Sequence, residues 1–186
     1  QPLDPRLPVD YHREIADESG LPIVLFQLAA VFGGTVFTEE VLKDLLSLPQ
    51  VIGIKEASFD AQIYSRTAEI VKGLGRPITL MTGNDPFIFE SILLGAEGAL
   101  LGFGAIGCRI VAGLLADVAQ GNLTHAVETH QQSKAFMHVI YHDPVLDYRA
   151  RCKVALSHIG VIPRESTFVR PPLLQITEAE SAVIKN

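Results

Sequence analysis

Val51-Ile52-Gly53-Ile54-Lys55-Glu56-Ala57 (VIGIKEA, residues 51–57) places a lysine directly after four near-apolar residues. A continuous apolar run of this length, with no alternation, reads as a strand buried on both faces, as in parallel sheets. Working outward, LPIVLFQL (21–28), PITLMTG (77–83) and GALLGF (98–103) have the same character. Amphipathic segments lie between them. VDYHREIADESG (9–20) stops at Gly20, TEEVLKDLLSL (38–48) opens with Thr38 as N-cap, and DAQIYSRTAEIVKGLG (60–75) is capped by Asp60. NDPFIFESILLG (84–95) has Asp85 as an N-cap and Pro86 at the first helical position. Strand, helix, strand, helix with short loops predicts right-handed βαβ units and a parallel sheet. Four such strands fit a small open sheet or part of a barrel.

After residue 103 the pattern changes. GCRIVAGLLADVAQG (107–121), LTHAVETHQQSKAFMHVIYH (123–142) and VLDYRARCKVALSHIG (145–160) read as three successive helices. A Pro-rich turn, VRPPLL (169–174), and a short helix from Thr177 complete the reading. The chain is most simply one domain, with a strand-bearing part at 1–107 and a helical part at 108–186.

Bulk properties narrow the function. The 186 residues are 48% apolar and 19% charged, with a net charge of −6. Such a chain can bury a core and has no basic footprint for nucleic acid or an anionic membrane surface. The longest membrane-span candidate, GALLGFGAIG (98–107), is short and broken by glycine. The first residues lack the cationic and apolar regions of a signal peptide. Cys108 and Cys152 lie far apart, which suggests reduced thiols in a cytosolic protein, with Cys152 as core filling. The proline-rich start, without methionine, reads as an interior position of a longer chain.

The lysine carries the chemistry. Burial disfavours an ammonium, lowers its pKa and raises the fraction of free amine. A free amine at the carboxyl end of a parallel strand suits attack on a ketone or aldehyde. The plainer alternative is that Lys55 pairs with an acid such as Glu56, or simply leaves the strand into solvent.

VIGIKEASFD (51–60), TGNDPFIFESILLGAEGALL (82–101) and GVIPRESTFVRPPLL (160–174), in this order and separation, resemble the dihydrodipicolinate synthase and N-acetylneuraminate lyase family. The likeness runs from about residue 9 to 175. It implies a (β/α)8 TIM barrel, of which this chain holds about the last four βα units plus a C-terminal helical region. It implies a lyase of the class I aldolase type, making or breaking a C–C bond beside a 2-oxo acid such as pyruvate. An aldehyde as second substrate, no metal or other cofactor and a homo-oligomer (dimer or tetramer) follow from the same likeness; the cytoplasmic location rests on the two cysteines. Carried over by motif, Lys55 matches the Schiff-base lysine of G-I-K-E-A. Gly83 matches the glycine of G-[DN]-D beside the site, and Leu100 a position whose backbone contacts bound pyruvate.

Two departures stand out. Where the family has a proton-relaying tyrosine in Y-N-x-P-x-x-T-G, this chain has Phe26-Gln27-Leu28-Ala29-Ala30-Val31-Phe32-Gly33. Neither the phenol nor the nearby basic residue that helps hold a substrate carboxylate is there, so the chain is expected to be a poor dihydrodipicolinate synthase. The family's first four strands, with their Thr-Thr or Ser-Thr loop, have no counterpart in these residues. Three alternatives follow: a dehydratase or a hydrolase of a sugar-derived 2-oxo acid, or a non-catalytic relative that binds one.

Two rival motifs are weaker. Gly102-Phe103-Gly104-Ala105-Ile106-Gly107 fits G-x-G-x-x-G, but a helix follows its helix where a dinucleotide fold needs a second strand ending in an acid. His138 and His142 stand four apart, a metal-ligand spacing, yet no Glu sits between them in the zincin manner and no third ligand is near in sequence.

Overall fold

The alternation of apolar runs and amphipathic segments is realised as alternating strands and helices. The computed structural model describes residues 4–185. In chain order it has α1 (Arg6–Ser19), β1 (Ile23–Leu28), α2 (Glu39–Ser47), β2 (Val51–Ala57), α3 (Ala61–Lys72), β3 (Thr79–Thr82), α4 (Ile88–Leu93) and β4 (Gly98–Ala99). Helices α5 (Gly104–Gln120), α6 (Leu123–Tyr141), α7 (Tyr148–His158) and α8 (Glu178–Lys185) follow. The chain divides into two compact units between Leu100 and Leu101. The division expected after residue 107 falls inside α5, because the glycines from Gly104 onward join that helix; only Gly107 leaves helical geometry, at φ −116°.

In the first unit the four strands are all parallel and adjacent in the order β1-β2-β3-β4. Register puts Phe26 beside Lys55, Lys55 beside Met81, and Met81 beside Gly98. Side chains alternate across a strand, so neighbours in sequence face opposite sides. One face carries Leu25, Gln27, Ile54, Glu56, Leu80 and Thr82, all buried. The other carries Val24, Phe26, Lys55, Thr79 and Met81. Val24 and Phe26 there are each 47% exposed. Burial on both faces, expected from the continuous apolar runs, therefore holds for only one face of β1 among the described residues. Among the described residues of the first unit, the Leu25 face is the covered one and the Val24 face the open one.

Local chemistry explains most boundaries. Gly20 ends α1 in the left-handed region at φ 63°, and its N–H donates to the Ala16 carbonyl. Thr38 accepts from the Val41 N–H at the start of α2, and Asp60 accepts from the Gln62 and Ile63 N–H groups at 2.8 and 3.0 Å. Asp85 is not the expected N-cap. Asp85–Phe87 form a 3-10 turn whose preceding residue is Asn84, and the α-helix starts only at Ile88. The fourth strand is also shorter than 98–103, because the chain turns away after one further ladder bond, from the Leu100 N–H to the Thr82 carbonyl (2.9 Å).

Arg76 locks the entry to β2. Its guanidinium donates to the carbonyls of Leu46, Leu48, Pro49 and Val51 at 2.6–3.1 Å.

The second unit is helical, as expected. Its core holds Ile140, Cys152, Ala155 and Ile184, so Cys152 does fill a core. Arg151, 1% exposed, donates to the Ile140 and His142 carbonyls and ties the end of α6 to α7. Gly102 is needed for close packing: a Cβ there would stand 2.6 Å from the Tyr141 hydroxyl and 2.8 Å from the Tyr148 ring. Those two rings stack at 5.3 Å. At Gly107 a Cβ would collide with the Phe103 ring. Gly102 and Gly107 of the G-x-G-x-x-G stretch thus serve aromatic packing.

Candidate active site

Lys55 is the fifth of seven residues in β2 and points to the open face of the sheet. Three surroundings define its amine. Nζ lies 4.3 Å from the centroid of the Phe26 ring, on the neighbouring strand. Gly83 presses against its stem, since a Cβ there would be 2.7 Å from Lys55 Cε and 2.7 Å from Ala57 Cβ. No larger residue fits at Gly83 without moving the lysine. Finally, burial lowers the Lys55 pKa below the ordinary lysine value, while the Asp85 carboxylate acts more weakly in the opposite direction.

The structure therefore brings together two of the three expected site residues. Leu100 lies apart, two strands from β2. It stands two residues beyond Gly98, which is level with Met81 and hence with Lys55. The Leu100 N–H is used in the ladder and its side chain is 60% exposed.

Behind the lysine, on the covered face, lies a buried polar cluster that sequence reasoning missed. The Glu56 carboxylate accepts three hydrogen bonds: from Gln27 Nε2 (3.1 Å), the Ser58 N–H (3.0 Å) and Asn84 Nδ2 (2.6 Å). Gln27, Glu56 and Asn84 are each fully buried. Gln27 also accepts from the Phe37 N–H and donates to Thr67. Asn84 Nδ2 reaches the Glu56 carbonyl at 3.0 Å, and its Oδ1 accepts from the Phe59 N–H at 2.8 Å. The Gly83 N–H donates to that same Glu56 carbonyl at 2.6 Å. Phe59 is held at φ 59°, a left-handed conformation that costs about 1–2 kcal/mol for a residue with a side chain. Tyr64 closes the cluster. Burial, and then the Glu56 charge, push its phenol pKa up, and its hydroxyl donates to the Ser91 carbonyl.

A polar residue inside an apolar strand was the available signal. Gln27 in LPIVLFQL and Glu56 in VIGIKEA are both costly to bury without partners, so each predicted one.

His142 Nδ1 bonds the Asp143 carbonyl and its Nε2 lies 4.0 Å from Glu180. Among the described residues no group of three or more His, Cys, Asp or Glu side chains is arranged to hold a metal ion. No helix there is long and apolar enough to cross a membrane.

The chain has relatives of known name and structure. Over 175 residues the chain is 25% identical to the 4-hydroxy-tetrahydrodipicolinate synthase of Thermotoga neapolitana, covering 94% of this chain and 58% of that one. It superposes with a TM-score of 0.83 on YagE of Escherichia coli K12, a protein of the dihydrodipicolinic acid synthase family solved with pyruvate. That match is 25% identical and covers 100% of this chain and 61% of YagE. The N-acetylneuraminate lyase of Fusobacterium nucleatum shares the fold, with a TM-score of 0.82 at 17% identity over 100% of this chain and 60% of its own. The chain thus spans about three fifths of the length of these relatives. Its fold is that of a (β/α)8 TIM barrel, of which it holds four βα units and the helices that follow. The model of the dihydrodipicolinate synthetase family matches residues 6–186, and the chain belongs to that family.

Proposed function

We propose that this chain carries the imine-forming lysine of a class I aldolase-type lyase, and that the lysine is Lys55. The observation that carries the reading is a half-buried amine with a lowered pKa on the open face of a parallel strand, gripped between Gly83 and the Phe26 ring. The substrate class is a 2-oxo acid. Lys55 Nζ adds to the C2 carbonyl, the carbinolamine loses water, and the protonated imine draws electrons from the C3–H bond. The resulting enamine adds to an aldehyde, or is formed by C–C cleavage in the reverse direction, and hydrolysis returns the amine. Pyruvate is the first member of that class to test, because YagE was solved with it.

Gly83, having no side chain, lets the Lys55 stem lie against it, and Leu100, whose N–H is spent in the ladder, offers its carbonyl oxygen to the substrate. The enzyme works in the cytoplasm as a homo-oligomer, a dimer or tetramer. A second reading is favoured by one residue. Phe26 has no proton to give, so imine formation without efficient turnover, as in a 2-oxo-acid-binding relative, fits the ring over Lys55. A dehydratase or hydrolase acting on a sugar-derived 2-oxo acid shares the same first step.

The test is borohydride reduction with a panel of 2-oxo acids, read by peptide mass. A covalent adduct on the Lys55 peptide is expected. Lys55→Arg keeps bulk and charge but cannot form an imine, so the adduct should vanish from a folded variant. An adduct that survives this substitution overturns the assignment.

A further inference from the structure

Phe26, Lys55 and Gly83, which meet on the open face, are each followed at once by a residue of the buried cluster: Gln27, Glu56 and Asn84. Because side chains alternate along a strand, Gln27 and Glu56 stand on the face opposite to Phe26 and Lys55, and Asn84 joins them from the turn after Gly83. Three adjacent segments are thereby tied together at one level. Gln27 reaches from β1 and Asn84 from the turn after β3, and both donate to the Glu56 carboxylate on β2. The tie continues through the main chain. Asn84 Nδ2 and the Gly83 N–H both donate to the Glu56 carbonyl, next to the Lys55 peptide.

We propose that Gln27, Glu56 and Asn84 are positioning residues for Lys55, a clasp on the covered face that sets where the amine stands on the open one. This rests on the reading of Lys55 as the imine-forming amine. The physical case is one of tolerance. Gly83 leaves no slack beside Lys55 Cε, so a small parting of β2 from the turn at Asn84 shifts the amine relative to both Gly83 and the Phe26 ring. Misplacement by about 1 Å can slow a reaction on the order of a hundredfold. A fully satisfied buried network has the rigidity that such a fit requires. The cluster's hydrogen bonds run to one another, to Thr67 and Thr82 and to main-chain groups, so it acts on the chemistry through the backbone it holds.

The experiment uses the full-length protein with pyruvate, measuring the rate of borohydride-trapped adduct on Lys55 against pH, with circular dichroism and thermal melts alongside. Glu56→Gln turns one acceptor into a donor facing Asn84 Nδ2. Trapping at neutral pH should fall roughly tenfold to a hundredfold, and the pH midpoint should rise toward that of an ordinary lysine as the amine leaves its half-buried place. If Glu56 acted only through its charge, removing it would disfavour the ammonium and the midpoint would fall; that result overturns the proposal.

Adding Asn84→Asp to Glu56→Gln lets the introduced amide donate to the introduced carboxylate. Trapping should then recover in part, the remainder being lost because that carboxylate also faces the residue-56 carbonyl. Asn84→Ser, which leaves Glu56 its other two donors, is the milder variant should Glu56→Gln fail to fold. It should shift the midpoint in the same direction. A lower melting temperature with unchanged trapping rate and midpoint in the folded protein means a purely structural cluster and overturns the clasp. Absence of any Lys55 adduct in the unsubstituted protein instead overturns the imine reading itself, which separates the two failures.

Discussion

The Lys55 ammonium is pulled two ways. Burial disfavours its charge, while the Phe26 ring 4.3 Å away and the Asp85 carboxylate both favour it. Burial wins, and the pKa falls below 10.5. The sign of the consequence for stability is set by which state holds the proton more weakly, and here it is the folded one. At neutral pH the charged amine therefore costs stability, and that cost is relieved as pH rises from the lowered folded value to 10.5. Lys55→Met should melt at a higher temperature than the parent at pH 7, with the gap narrowing toward pH 10.5; thermal melts across that range check it, and a lower melting temperature at pH 7 contradicts it. Phe26 makes a second expectation at this scale. Phe26→Tyr places a hydroxyl at the ring beside Lys55, where the family has its proton relay. If the missing phenol limits turnover with pyruvate and aspartate semialdehyde, the substitution should raise kcat by about 10²-fold or more. Parent turnover already near 10 s⁻¹, an ordinary enzyme rate, would mean that the proton travels by another group.

At the scale of elements, caps and turns decide where helices begin. The two N–H bonds to the Asp60 carboxylate start α3 at the foot of the loop that carries strained Phe59. Asp60→Ala should lower stability by about 1 kcal/mol, measurable as a shifted urea midpoint with an unchanged slope. Asp60 was legible because a cap acts on residues two and three positions away, and so were Thr38 and Gly20. β2 was legible as well, since VIGIKEA is both apolar and short. Asp85 misled because Asn84-Asp85-Pro86 suits the start of an α-helix, whereas Asn84 is committed to Glu56 and Phe59 and the chain makes a 3-10 turn first. The clasp was illegible in its pairing. Gln27 and Glu56 announce that they need partners, but their partners lie 29 and 28 positions away, and only the parallel register brings them level. Lys55 and Gly83 came from motif, and packing gives their proximity a steric reason. The one-sided cover of the sheet escaped because a continuous apolar run looks the same whether one face or both are packed.

For the molecule as a whole, the open face of the sheet corresponds to the interior of a TIM barrel, which in that fold is filled by layers of side chains. Val24 makes this testable. At 47% exposure an ordinary surface substitution would change stability by no more than about 0.5 kcal/mol. In the full-length protein a filled barrel would instead bury the new carboxylate of Val24→Asp, at about 2 kcal/mol or more. Urea denaturation distinguishes the two, and a change within the surface range means that this face stays wet. The strand order has a further consequence, for synthesis. Spatial order β1-β2-β3-β4 is also chain order, and the parallel partners Leu25 and Ile54, then Ile54 and Leu80, are separated by less than thirty residues. A ribosome adding roughly 5–20 residues per second supplies each new strand within a few seconds of the last. Each can dock on an edge already made. Within these four strands the sheet can therefore grow in the order of synthesis, each of β2, β3 and β4 finding its preceding neighbour already made.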